Sequence, residues 1–263
     1  MSYCVICGRQ HDPGVGCLDG AGQALRDIGL PLAPDGARCD REAPRLSRNV
    51  VAREMKTMSW TRPRWLVIAT VALVALLVVS GWSPHDRGTW LMEVAPIIIA
   101  VPVLWLTHRR FPLTTLLYVC IFIHATILML GGAYTYARVP LGYWIQGLLD
   151  LSRNPYDKVG HFAQGFVPAL VAREILVRGR YVRGGRMLAF LVVCVVMAIS
   201  VTYEFVEWGA ALALGQGADA FLGTQGDPWD TQSDMLFALI GGVTALALFS
   251  RLHDREIEAL GPE

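Results

Sequence analysis

Six stretches of the chain are apolar over about the 20 residues that a helix needs to cross a bilayer. They lie at 65–82, 89–107, 112–132, 159–177, 187–209 and 233–250. The first reads WLVIATVALVALLVVSGW and carries no charge. It begins 64 residues into the chain and lacks the cleavage pattern of a signal peptide, so it is expected to stay. Two stretches are interrupted: the second by Glu93 and Pro96, the fourth by His161 and Gln164 near its start and Arg173 and Glu174 near its end. In lipid every backbone polar group must be satisfied inside its own segment, which predicts helices. The expected fold is all-α: a polytopic bundle of six transmembrane helices over residues 61–255. Residues 1–60 read as a small polar module with a linker, and 256–263 as a tail.

Charge tests the count. Segments 41–64, 108–110, 173–186 and 251–255 hold 16 Lys and Arg, whereas the alternating segments 83–89, 132–160 and 210–233 hold 4. Basic loops stay on the cytoplasmic side, so both termini are expected there, in the inner membrane of a bacterium. Without the fourth crossing, Arg178, Arg180, Arg183 and Arg186 would fall on the far side. Composition agrees: hydrophobic residues are 54%, charged residues 17% and mean hydropathy is +0.42. A disordered chain is excluded by this apolar content. A net charge of +1 offers no field for a nucleic acid partner. No internal repeat is visible, which argues against an inverted-repeat transporter.

The amino-terminal segment has its own chemistry. Cys4, Cys7, His11 and Cys17 form C-x2-C-x3-H-x5-C. Three thiolates and an imidazole within so short a loop suit one tetrahedral zinc ion, in a zinc-knuckle-like module. A reducing cytoplasm favours a metal over a disulfide. Cys39 is an alternative fourth ligand, and reduced thiols on a tail are the alternative to any metal. Aromatic stacking residues of nucleic-acid-binding knuckles are missing, so the module is expected to contact a cytoplasmic protein partner. GQALRDIGL, at 22–30, carries a short helix signal. Cys120 and Cys194 lie inside spans and read as packing residues.

The ionisable groups of the spans concentrate at one depth, the expected outer end. Glu93, His124, His161, Glu204, Glu207 and Asp234 come from five different spans. Such groups cost about 3 kcal/mol each on insertion scales and normally face a bundle interior or a wet cavity. Asp157 and His161 are i,i+4, His161 and Gln164 are i,i+3, Glu204 and Glu207 are i,i+3, and Asp230 and Asp234 are i,i+4, so each pair shares a helix face. Asp230 or Thr231 is also placed to cap the last span. His161, Glu204, Glu207, Asp230 and Asp234 are the candidate catalytic groups; Asp157, Lys158, His124, Gln164 and Arg153 are the candidate binding groups. Carboxylates with an imidazole suit a divalent metal such as zinc, manganese or iron. Without a metal, paired carboxylates in low dielectric share a proton and serve acid–base chemistry or proton-coupled transport. A structural ion-pair network, with Lys158 and Arg153 as neutralising cations, is the alternative to any site. Glu174 is expected to pair with Arg173, Arg178 or the headgroup region.

Several blocks match a known family in order: GGAYTYARVPLG (131–142), RNPYDKVGHFAQGFVPALVARE (153–174), YEFVEW (203–208), FLGTQGDPWDTQSDM (221–235) and ALIGG (238–242). Over residues 65–255 the chain resembles the YjdF-like family of bacterial inner-membrane proteins. The resemblance implies membrane placement and assigns no reaction; residues 1–60 lie outside it. A weaker resemblance is to VanZ-like membrane proteins, associated with glycopeptide resistance. Asp157, Lys158, His161 and Phe162 match the D-K-x2-H-F element of that pattern. Glu207 stands where it has Gln, Ala238 where it has Asn, and its arginine between the later elements has no counterpart in 209–233. This second resemblance implies a similar bundle and site position.

The functional expectation is a membrane protein with an outward-facing polar and acidic pocket for a lipid headgroup or envelope precursor. As a hydrolase or transferase it would use Glu204 or Glu207 as base and His161 as acid or metal ligand. The rival classes are a proton- or ion-coupled transporter and a membrane scaffold that recruits its partner through residues 1–60.

Overall fold

The structure is a computed structural model that describes residues 2–3, 10–11, 63–182, 185–214 and 225–260. The chain divides into two units, Met1–Thr61 and Arg62–Glu263. In the first, β1 (Ser2–Tyr3) pairs antiparallel with β2 (Gln10–His11), placing Ser2 opposite His11 and Tyr3 opposite Gln10. Cys4, Cys7, Cys17, Cys39 and the GQALRDIGL segment lie outside the described residues.

The second unit is helical. Its elements are α1 (Arg64–Trp82), α2 (Arg87–Thr107), α3 (Thr115–Tyr134), a 3-10 turn (Tyr136–Arg138), α4 (Pro140–Leu149), α5 (Tyr156–Arg178), α6 (Gly185–Leu214) and α7 (Asp230–Thr244). A π-helical turn (Ala245–Phe249) joins α7 to α8 (Ser250–Ala259). The last span thus continues as helix through Ala259, where the sequence suggested a tail from 256. The expected loop at 132–160 contains α4, an apolar helix with Tyr143, Trp144, Leu148 and Leu149 exposed.

Among the described residues, five helices are long and apolar enough to cross a membrane: α1, α2, α3, α6 and the continuous helix formed by α7, the π turn and α8. The fourth predicted span, α5, does not meet that measure. It carries Asp157, Lys158, Arg173, Glu174 and Arg178. The fold explains why it tolerates them. On α5 the buried residues run from Tyr156 to Glu174 and include Asp157, Lys158, His161, Arg173 and Glu174, whereas on α1 only Leu66 and Leu73 are buried. Helix α5 is the axis on which α3, α6 and α7 pack. Its charges therefore meet protein. The long apolar side chains of α1, among them Ile68, Val71, Val79 and Trp82, are exposed, as a lipid-facing surface requires.

Small residues set the closest contact. A Cβ on Gly165 of α5 would overlap the Ala238 carbonyl oxygen, and one on Gly241 of α7 would overlap the Phe162 carbonyl oxygen. The two backbones touch through these glycines, the usual way for helices to associate in lipid. Two apolar clusters fill the rest. Leu117, Val167, Leu170, Val192 and Val196 form one toward the Glu174 end of α5. Leu73, Val94, Ile97, Leu128 and Met129 form the other, between α1, α2 and α3. Cys120 is half-buried beside the first cluster, but Cys194 is exposed and packs into no core.

Candidate functional site

The polar groups predicted to share one depth do converge, around the Asp157 end of α5. Helix α2 brings Glu93, α3 brings His124, α6 brings Tyr203, Glu204 and Glu207, and α7 brings Asp230 and Asp234. Glu93, Asp157, Lys158, His161, Glu204, Asp230 and Asp234 are all buried.

They fall into two parts. The first is an ion-pair network. Lys158 Nζ donates to Asp230 Oδ1 at 2.8 Å and Asp234 Oδ1 at 2.5 Å, and lies 3.4 Å from Asp157 Oδ2. Arg153 joins it through Asp230 Oδ1 at 2.7 Å and Asp227 Oδ2 at 2.9 Å. Partial burial opposes the Arg153 charge, but the bonded Asp230 carboxylate and nearby Asp227 hold its pKa above the usual range. Asp230 thus bonds to cations and does not cap α7, which has no side-chain cap. Next to Arg153, Asn154 and Gln225 join two segments through reciprocal hydrogen bonds. Asn154 N–H donates to Gln225 Oε1 at 3.1 Å, and Gln225 Nε2 donates back to the Asn154 carbonyl at 3.0 Å.

The second part is a cavity of about 150 Å³. Glu93, Asp157, His161, Glu207, Tyr136 and Tyr203 supply its polar wall; Pro96, Leu128, Pro168 and Ile199 supply apolar wall. His161 links the two parts. Its Nδ1 is 2.9 Å from Gln164 Oε1 and 4.0 Å from Glu204 Oε1, while its Nε2 is 3.4 Å from Asp157 and 3.7 Å from Asp234. Both ring nitrogens therefore face acceptor oxygens. Tyr203 donates to Glu93 Oε2 at 3.1 Å. Among the described residues, no Lys or Arg lines the cavity.

The i,i+3 glutamates part company: Glu207 lines the cavity, and Glu204 turns to His161 outside it. Nor do they form a metal set. The ligand atoms that converge among the described residues belong to Asp157, His161 and Asp234, all within 4.8 Å of one another. That set suits a divalent ion in donor type, but the Lys158 ammonium already contacts two of its carboxylates. Three buried polar atoms among the described residues have no hydrogen-bond partner: His124 Nε2, Ser200 Oγ and Glu204 Oε1. Unsatisfied buried groups are uncommon in native proteins and call for an explanation.

Sequence reasoning missed Tyr203 and the site role of Tyr136. Tyr203 was legible, being i,i+4 to Glu207 on α6. Tyr136 was not, because its position depends on backbone. Thr135, buried and β-branched, adopts φ 55°, which non-glycine residues rarely do. That turn inserts the Tyr136 ring against α3 and α5, where a Cβ on Gly131 or Gly160 would lie 2.5 or 2.7 Å from ring atoms. Strained backbone of this kind, worth about 1–3 kcal/mol, gathers at functional sites.

Comparison with known proteins agrees with placement in a membrane. No solved structure matches the chain. The chain is 60% identical over 200 residues to "Inner membrane protein YjdF" of Escherichia coli (strain K12), covering 76% of this chain and 96% of that protein. Residues 65–255 match the family model described as "Predicted membrane protein (DUF2238)". The chain is an integral membrane protein and belongs to this DUF2238 family.

Proposed function

We propose that the protein is a six-span inner-membrane protein whose cavity binds the headgroup of a membrane lipid or envelope precursor. The observation that carries this reading is the cavity itself: three helices deliver Glu93, Asp157, His161, Tyr203 and Glu207 to one partly apolar space at a depth where each such group is costly. A pocket of mixed apolar wall and a few convergent polar groups is the usual form of a ligand site. The name of the Escherichia coli relative supports inner-membrane placement. Helix α5 is the sixth crossing: its 23 residues span about 34 Å at 1.5 Å per residue. The 16-to-4 distribution of Lys and Arg supports cytoplasmic termini and a cavity toward the outer face. The same geometry offers acid–base chemistry on a bound headgroup, with Glu207 as base and His161 as acid.

The transport reading is weaker. Val167, Leu170, Val192 and Val196 stand between the cavity and Glu174 along α5 and α6, and form an apolar layer where a polar path would run. For the amino-terminal module, zinc held by Cys4, Cys7, His11 and Cys17 remains our proposal. The pairing of Tyr3 with Gln10 supports it, since these residues directly precede Cys4 and His11.

Native mass spectrometry of the full chain in detergent tests the pocket. Wild type should retain a lipid that Glu207→Gln and His161→Ala lose while both variants keep the wild-type gel-filtration profile. Equal lipid retention in all three proteins would overturn the reading.

A further inference from the structure

A second cavity of about 160 Å³ lies between α1, α2 and α3; Leu73, Ile97, Ala100, Leu104 and Ile121 are among its mostly apolar lining, with Thr70, His108, Tyr118 and His124. It shares Pro96, His124 and Leu128 with the polar cavity. These three side chains are the common wall, and the buried Nε2 of His124 has no hydrogen-bond partner. The trough therefore abuts the acidic chamber across this wall, and a polar atom without a partner stands in it.

The dimensions identify what fits. The trough is lined on α3 from Tyr118 to Leu128. Ten helical steps of 1.5 Å make it about 15 Å long. That is about half the 30 Å hydrocarbon core, the depth of one leaflet. The chamber bears on the charge of the other end through three carboxyl groups set against one imidazole. Glu93, Asp157 and Glu207 line it with His161, while Lys158 and Arg153 are held by Asp227, Asp230 and Asp234. A phosphate or carboxylate alone in the chamber would meet carboxylates. An ammonium would meet them favourably, with the Tyr136 and Tyr203 rings beside it as cation–π partners.

Resting on the headgroup-binding reading above, we infer that the ligand is an amphiphile with a cationic, amine-bearing polar end. Its amine occupies the Glu93–Glu207 chamber. One alkyl chain lies in the α1–α2–α3 trough. His124 marks the boundary and offers Nε2 to the polar linkage between the two ends.

The test uses the full chain in maltoside micelles and three probes. Each carries a photoreactive group on a twelve-carbon chain and ends in a primary amine, a hydroxyl or a sulfate; ethylamine is a chainless competitor. The amine probe should label trough peptides at least tenfold more than the other two. Glu207→Gln should remove most of that preference. Ala100→Phe, which fills the trough and leaves the chamber untouched, should cut labelling by the amine probe at least fivefold, and ethylamine should compete only at a hundredfold or greater excess. Preferential labelling by the sulfate probe, lost in Glu207→Gln, would overturn the cationic assignment and leave the headgroup reading standing. Ethylamine competing at equal concentration would overturn the alkyl-chain assignment. Equal labelling by all probes, unmoved by Glu207→Gln or His161→Ala, would overturn both this inference and the headgroup reading.

Discussion

The two ends of α5 carry polar groups in opposite conditions. At one end Glu174 is fully buried and saturated. It accepts from Thr114 N and Oγ1, from Arg178 at 2.8 Å, and bonds to His253 Nε2 at 2.9 Å. Arg173 beside it reaches Asp254 at 2.6 Å, and Glu256 of α8 accepts from Leu116 N at 2.8 Å. These contacts clasp α8 onto α3 and α5. At the other end Asp157 and His161 border a cavity, their ion pairs are 3.4 Å or longer, and buried atoms of His124 and Glu204 lack partners. The Glu174 end meets its hydrogen-bonding demand from within the fold, whereas the Asp157 end leaves buried atoms without partners, the difference on which the proposed ligand site rests.

The contrast is sharpened by substitutions, taken here from the largest effect down. Gly165→Leu should abolish the folded bundle, since even a Cβ would overlap the Ala238 carbonyl; a residual monodisperse gel-filtration peak would show that α5 and α7 can separate there. Glu174→Ala should cost about 3–5 kcal/mol, the usual loss when a buried ion pair loses one partner. Chemical denaturation in detergent measures it, and a cost below about 1 kcal/mol would break the comparison from the structural side. Asp86→Ala is the smallest. Asp86 accepts from Thr89 N–H at 2.7 Å and caps α2, so its loss should cost about 1 kcal/mol. That bond holds the Asp86 pKa below its ordinary 3.8. The carboxylate's contribution is present in full above pH 3.8 and fades as pH falls through the lower, folded value. The gap between wild type and Asp86→Ala should therefore be constant at neutral pH and close only in strong acid.

Much of this was legible in the sequence, and the failures have physical causes. The six apolar or semi-apolar stretches became helices because lipid leaves the backbone no other choice. The D-K-x2-H spacing on α5 did place Asp157, Lys158 and His161 together. The i,i+3 rule misled for Glu204 and Glu207, because neighbours on α6 face different surroundings once α7 packs beside them. Glu174 was expected to meet Arg173 or Arg178. Arg178 is correct, but His253 lies 79 positions away and no local pattern could announce it. Helix α4 was hidden within a loop whose charge, and not its periodicity, had drawn attention.

The central claim is that the Asp157–Glu207 end exists for a ligand and the Glu174 end for stability. Thermal melting of the detergent-purified protein, compared across Glu207→Gln and Glu174→Gln, tests it most directly. One kcal/mol moves Tm by about 2–4 °C in a domain of this size. The account predicts that Glu174→Gln lowers Tm by about 6 °C or more and Glu207→Gln by less than about 2 °C. Equal losses in both variants would contradict it and make the whole polar interior a structural network.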